Sequence, residues 1–272
     1  MTRTIRVLPS ETVARIAAGE VITRPRAVVK ELLDNAIDAG ASRIEIEIVT
    51  GGYDQITVHD DGSGVRSLDA PVVFTRHATS KLDDLTGLST VTTLGFRGEA
   101  LASIAAVAEV DIRSRHRDEP IGSRIRAAYG DANEVTPLVR QPGTSVEVRD
   151  LFSRYPVRRT AAEPVSESRA IRRLVTQFAL LRPETAFLLR ADGRVAVFSS
   201  GGSAREVFAE IVGHDALPYL LDLGTVDVVG TTITGVVSGT SVHRSNRDGI
   251  VTAINGRVCE AIEIRKAVER AY

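Results

Sequence analysis

The chain has little of what would place it in a class at once. It has one cysteine, Cys259, so an internal disulfide cannot form, and none of His59, His77, His116, His214 and His243 stands at metal-ligand spacing from another or from that cysteine. No structural metal is expected. No apolar run approaches the roughly 20 residues that a spanning helix needs, so no membrane partner is expected. The arginines near Met1 to Ile5 are not followed by the apolar segment of a secretory signal, which points to the cytoplasm. Charge of one sign is lacking too: 34 Lys and Arg stand against 35 Asp and Glu, a net −1 that gives no global attraction to nucleic acid. Short basic stretches occur at Arg113-Ser114-Arg115-His116-Arg117, Arg154 to Arg159 and Arg169 to Arg173, but without aromatic interleaving. They read first as solvated faces, leaving weak local contact with DNA. No internal repeat or low-complexity tract is visible.

What is present is 272 residues of ordinary composition, 43% hydrophobic and 25% charged, enough for two domains. Pro25 suits a first helical position, and Val28, Val29, Leu32, Leu33, Ala36 and Ile37 recur at helical spacing until Gly40. Ile44, Ile46 and Ile48 alternate with charged residues, and after Gly51-Gly52 a second alternating run carries Ile56 and Val58, which predicts a hairpin with one wet face. Further strands are expected at 109–115, 123–129 and 145–149, a helix over about 166–181, and a hairpin at Asp192-Gly193. Gly201-Gly202 precedes Ser203-Ala204-Arg205-Glu206, a capping box, and this places a domain joint between 1–200 and 201–272. The second domain is read as strands at 231–237 and 250–254, a turn at Asn255-Gly256, and a helix from Glu260 that looks cut at Tyr272. Mixed hairpins with packed helices point to an α+β architecture.

Chemistry concentrates in three places. At ~100° per residue, Glu31, Asn35 and Asp38 fall within about 60° of one another on the first helix, clear of its apolar arc. A charged stripe is commonly a solvated face, yet Asn and Asp are poor mid-helix residues. A carboxylate there suits the orientation of an attacking water, and an amide oxygen one turn on suits magnesium, which takes few protein ligands. Asp60-Asp61-Gly62-Ser63-Gly64 follows a strand end and, taken alone, is a turn. Gly95 to Ile104 is a glycine-punctuated loop running into a helix, an arrangement that can receive phosphate. A Walker A sequence is absent, and Gly62-x-Gly64 lacks the third glycine of a dinucleotide fingerprint.

The joint occurrence of these pieces resembles the MutL family of mismatch-repair proteins. In order, Ile16-Ala17-Ala18-Gly19-Glu20-Val21, the Lys30 to Gly40 run, Asp60-Asp61-Gly62-Ser63-Gly64, Arg76-His77-Ala78-Thr79-Ser80-Lys81, the Gly95 to Ile104 run, Gly143-Thr144 and Asp150-Leu151-Phe152 are similar to that family's successive motifs. Asn35 and Asp60-x-Gly62-x-Gly64 also resemble gyrase, heat-shock chaperone and histidine-kinase ATP sites. The Arg76 to Lys81 and Gly95 to Leu101 runs are much more selective for MutL.

The resemblance implies a Bergerat-type (GHKL) ATP-binding α/β sandwich, followed by a smaller β-α domain of the ribosomal S5 domain 2-like type that is truncated at its C-terminal end. It implies a DNA mismatch-repair ATPase that uses ATP and Mg2+. Glu31 matches the general base, Asn35 the magnesium ligand and Asp60 the carboxylate that receives the adenine amino group. Gly64 matches a glycine beside adenine and Thr144 a threonine near it. Thr79, Ser80, Arg97, Gly98 and Leu101 match the lid over the phosphates, and Asp38, Ala39, Lys81, Gly95 and Phe96 complete the expected nucleotide contacts. ATP binding would gate dimerisation through an arm containing Ile5 to Val21, and would gate contact with DNA and a MutS-type mismatch-recognition protein, in a protein that joins the nucleoid during repair. A binding module with negligible hydrolysis is the alternative, which Glu31 disfavours; a topoisomerase or chaperone ATPase leaves the two selective runs unexplained. Asp34 and Asp61 stand where the family more often has Glu and Asn. Arg154 stands at an Asn position, ahead of Pro156 to Ala162 where the family has Pro-Ala-Arg-Arg-Lys-Phe-Leu. The later His-Pro-x-Lys segment is missing, so this stretch is expected to turn over ATP slowly and dimerise weakly.

Overall fold

The protein is described by a computed structural model over residues 21–75, 78, 99–131, 134–239, 249–259 and 261–271. It groups into two compact units, Met1–Val175 with Phe187–Val197, and Thr176–Ala186 with Phe198–Tyr272.

The first unit opens on helix α1, Pro25–Asp38, with Pro25 at its first position. No side chain caps its N-terminus from Arg24, but Glu167 does so from afar: Arg26 N donates to Glu167 Oε2 at 3.3 Å. The Arg24 Nε donates to Glu167 Oε1 at 2.9 Å, and this bond holds the guanidinium pKa above its ordinary value. A carboxylate at this end also answers the positive pole of the helix. At the other end Gly40 N donates to Ile37 O and Ala41 N to Ala36 O, with Gly40 at φ +69°, a Schellman closure. Val28, Val29, Leu32, Leu33 and Ala36 are buried, as the helical spacing predicts.

Strands β1 (Arg43–Val49), β2 (Gln55–Asp60), β3 (Glu109–Arg115), β4 (Gly122–Ala128), β5 (Glu134–Leu138), β6 (Gly143–Arg149), β7 (Ala186–Ala191) and β8 (Arg194–Ser199) form one sheet in the order β5-β4-β3-β6-β2-β1-β7-β8. Every ladder from β5 to β1 is antiparallel. Asp192 N, just past β7, donates to Ile48 O near the end of β1, so these two strands end side by side and run parallel. The sheet is therefore mixed.

Its register aligns three rows across β4, β3, β6, β2 and β1 on one face. Two rows are apolar and buried: Ile125, Ile112, Val146, Val58, Ile46, and Ala127, Val110, Val148, Ile56, Ile48. The third row reads Ser123, Ser114, Thr144, Asp60, Ile44. Each buried aliphatic side chain contributes about 1.5–3 kcal/mol and each hydrogen bond about 1 kcal/mol net, so the polar row is not the choice that stabilises the sheet most. Helix α1 packs against β2 on this face. The outward phase carries Asp111, Arg113, Arg124 and Glu147 instead.

Between β3 and the strand before it lies helix α2, Ala100–Ala105. After β6 come α3 (Pro156–Arg159) and α4 (Pro164–Leu181), the latter burying Ile171, Leu174, Val175 and Phe178 in the expected stripe. Where the sequence departs from the family pattern, the Arg154 guanidinium stacks 3.8 Å over the Tyr129 ring, and Arg159 bonds Leu151 O and the Asp54 carboxylate. The departure is thus accommodated by a cation–π contact and an ion pair.

In the second unit, α5 (Ala204–Val212) starts at the expected capping box: Glu206 N donates to Ser203 Oγ and Ser203 N to Glu206 Oε2. Strands β9 (Leu220–Val228) and β10 (Thr231–Ser238) pair antiparallel with an irregularity at Thr234/Val236. The strand expected over 250–254 is shorter: only Ala253–Ile254, as β11, pairs with Arg257–Val258, β12, around the Asn255-Gly256 turn. Beyond that pair the strands stay linked by Cys259 N to Thr252 O and Thr252 Oγ1 to Cys259 O. Helix α6 spans Ile262–Ala271. No helix among the described residues is long and apolar enough to cross a membrane.

Candidate active site

The site lies where the polar row meets the end of α1. Asp60 ends β2 directly opposite Thr144 of β6, which is in turn opposite Ser114 of β3. Gly62 N donates to Asp60 Oδ1 at 3.0 Å. Burial pushes the Asp60 carboxyl up to about 6, against the backbone hydrogen bonds of Gly62 and Thr144 and the nearby Arg140 guanidinium. A half-buried carboxylate in this row is a strong hydrogen-bond acceptor.

The loop after Asp60 is fixed on both sides. Ser42 N and Arg43 N donate to Asp61 Oδ1 at 2.8 and 2.9 Å, and Ser42 Oγ to Asp61 Oδ2. Burial acts to raise the Asp61 pKa, but these bonds outweigh it and hold the carboxyl below its ordinary range. Ser63 N donates to Ala39 O at 2.8 Å, joining the loop to the end of α1, and Arg117 N donates to Ser63 O. A Cβ at Gly64, where φ is +76°, would lie 2.1 Å from Arg115 O, so only glycine fits this closely packed turn.

Asn35 and Glu31 stand one and two turns before Ala39 on α1, both half-buried, with Asp38 beside Ala39. Glu31 is 31% exposed and its Oε1 is 4.0 Å from Lys30 Nζ, while Lys30 bonds the buried Asp34 at 2.6 Å. Among the described residues no three His, Cys, Asp or Glu cluster into a metal cage. A divalent ion here would accordingly lean on ligand phosphates and water, with Asn35 as its protein oxygen, a coordination that suits Mg2+.

Of the residues expected from the sequence, Ala39, Asp60, Gly64 and Thr144 fall at this junction, Asp38, Asn35 and Glu31 lie back along α1 from it, and Leu101 is half-buried on α2. Thr79, Ser80, Lys81, Gly95, Phe96, Arg97 and Gly98 lie outside the described residues, as does the arm up to Glu20. Sequence reasoning missed Ser114. The signal was available: Ser114, Thr144 and Asp60 are the polar members of the inward phases Val110-Ile112-Ser114, Thr144-Val146-Val148 and Ile56-Val58-Asp60. A depression of about 390 Å³ on the opposite face, lined by Asp111, Arg124, Glu147 and Arg149, is a different matter. Its charges pair with one another, as in Arg124–Asp111 and Arg149–Glu147, and leave no convergent set for chemistry.

The fold and the junction of α1 with the polar row define a class: residues 22–152 match the family described as histidine kinase-, DNA gyrase B-, and HSP90-like ATPase. Within that class, the chain belongs to the MutL family. It is 40% identical over its whole length to the DNA mismatch repair protein MutL of Halobacterium salinarum and 42% identical, over 98% of its length, to that of Pelotomaculum thermopropionicum. It spans less than half of these curated relatives, 42% and 44% respectively. A solved Aquifex aeolicus MutL ATPase domain complexed with ADP matches with a TM-score of 0.71 at 28% identity, covering 93% of this chain and 89% of that one.

Proposed function

We propose that this chain binds ATP with Mg2+ and hydrolyses it, as the ATPase part of a DNA mismatch-repair protein. The observation that carries the reading is the half-buried Asp60 acceptor, raised to about 6, set in a polar row at the end of the helix that carries Glu31, Asn35 and Asp38. The ADP complex of the Aquifex aeolicus relative supports it.

In this reading Asp60 accepts from the adenine amino group, with Gly64 and Thr144 beside the base, and Asn35 holds Mg2+ against the phosphates. Bound there, the ion neutralises phosphate charge as it develops. Glu31 aligns a water in line with the γ-phosphate and takes its proton as the water oxygen bonds phosphorus and the bond to the ADP oxygen breaks. Its partial exposure leaves it reachable by that water. Asp38, Ala39, Thr79, Ser80, Lys81, Gly95, Phe96, Arg97, Gly98 and Leu101 complete the nucleotide contacts. Residues 1–200 act as the ATP-binding domain and 201–272 as the second domain. ATP occupancy gates dimerisation of two such chains and contact with DNA and a MutS-type partner at the nucleoid.

Phosphate release at saturating Mg2+ and ATP tests the catalytic part. Glu31→Ala is expected to bind ATP but to turn it over about 10²–10⁴-fold more slowly, the usual contribution of a general base. Unchanged turnover in a clean preparation would remove Glu31 from this role.

A further inference from the structure

On the outer face of the sheet, two half-buried arginines stand without a carboxylate partner. Arg113 and Arg115 of β3 alternate with the inward Ser114 and so point outward. Arg115 is the cross-strand partner of Gly143, and on its other side a Cβ at Gly122 would lie 2.8 Å from the Arg115 Cβ. Glycine thus flanks Arg115 on both neighbouring strands, and no side chain crowds it within its row. Arg140 sits in the turn between β5 and β6, three residues before Gly143.

A guanidinium carries five N–H donors and accepts nothing. Among the described residues Arg115 spends one, from Nη1 to Glu119 O at 2.7 Å, and Arg140 one, from Nε to Gln141 O at 3.1 Å. Both acceptors are neutral carbonyls. Arg115 Nε and Arg140 Nη1 are shut off from solvent and have no hydrogen-bond partner. The carboxylates along this face are already shared, Asp111 between Arg113 and Arg124, Glu147 between Arg113 and Arg149. Burial pushes the Arg140 guanidinium below its ordinary pKa; Asp60 pulls the other way, and Arg113 and Arg115 add to the depression, so these charges act on one another. Arginine keeps its proton at any working pH, so the cost of the clustered charge stays in place until an anion answers it.

We propose that the outer face of the sheet binds a small phosphate-class oxyanion between Arg115 and Arg140, at a site separate from the polar row on the inner face. Two guanidiniums offer such an anion charge-assisted hydrogen bonds, roughly twice as strong as those they now make to carbonyls. Both side chains are long and only half-buried, so they can turn their remaining donors onto it. The site is a point and not a track, because Arg113, Arg124 and Arg149 beside it are ion-paired. That favours a free oxyanion over a nucleic-acid backbone, which needs a run of unpaired cations. The inference stands apart from the ATP reading, since neither arginine belongs to the inner row.

The test replaces chloride by inorganic phosphate at constant ionic strength and follows the thermal midpoints of the wild type, Arg115→Gln and Arg140→Gln. A ligand that binds only the folded state raises the midpoint in step with its occupancy. The wild type is expected to show such a rise, and each variant to need about tenfold more phosphate for the same rise, the loss of one charge-assisted hydrogen bond. No response in the wild type would overturn the proposal. So would an equal rise in all three proteins, which is the general stabilising action of phosphate or binding elsewhere. Should one variant not fold, the other decides. A short single-stranded DNA at matched phosphate concentration forms the second arm. A response to DNA that both variants lose, with none to inorganic phosphate, would assign the arginines to a nucleic-acid backbone and overturn the free-anion site.

Discussion

At the scale of single residues, the site is built from groups that the fold would be more stable without. Asp60 is the clearest case. Its carboxyl rises from an ordinary 3.8 to about 6 because it is buried. A raised acid favours the folded state most when protonated: that contribution is full below about pH 3.8 and is lost as pH rises through about 6. At pH 7 the ionised carboxylate therefore costs on the order of 3 kcal/mol, a little over two pKa steps at 1.36 kcal/mol each. Asp60→Asn is expected to raise the thermal midpoint at pH 7.5 and to gain little or nothing at pH 4, while losing adenine binding. Melting curves of the two proteins at both pH values check this, and an equal difference at the two would remove the burial argument.

At the scale of elements, α1, which carries the proposed base Glu31, is anchored at both ends. Gly40 and Ala41 close its C-terminus, next to the Ala39 carbonyl that holds Ser63. The fully buried Glu167 of α4 holds its N-terminus through Arg24 and Arg26 N. Arg24 is 44% exposed and can return to water when its partner is removed, so the loss is chiefly the cap and the packing. Glu167→Ala is expected to lower stability by about 1–3 kcal/mol, with Glu167→Gln less affected because an amide keeps the shape and one acceptor. Urea unfolding of the two variants measures it; a loss below about 0.5 kcal/mol in Glu167→Ala would mean that α1 does not need the anchor.

The same elements show how far the sequence could be read. The α1 boundaries, the β1–β2 hairpin, α4 and the Ser203 capping box were legible because apolar spacing and turn residues act locally. Strand β5 was not, because Pro137 sits inside it; the strand is tolerated since it lies at the sheet edge, where a missing N–H breaks no ladder. Strand β9 was missed because Gly224 and the adjacent Leu220-Leu221 spoil its alternation. Asp60 and Thr144 were found through their motifs, but that they face each other, with Ser114 behind, is a matter of register between distant strands. Asp34, which stands where the family more often has Glu, is buried and paired with Lys30.

At the scale of the whole molecule, the net charge of −1 is matched by how the basic stretches are used. Arg113 bonds Asp111 and Glu147, Arg115 bonds Glu119 O, Arg154 covers Tyr129 and Arg159 pairs with Asp54. Arginines engaged this way are not available as a free cationic stripe, whereas Arg169, Arg172 and Arg173 on α4 are exposed. What distinguishes the chain is the nucleotide site of its first unit. The most direct test of that claim is calorimetric titration of Mg2+ and ATP into the wild type and Asp60→Ala. One nucleotide bound per chain by the wild type, with binding lost in a folded Asp60→Ala, is the predicted result; equal affinity in the two proteins would contradict it.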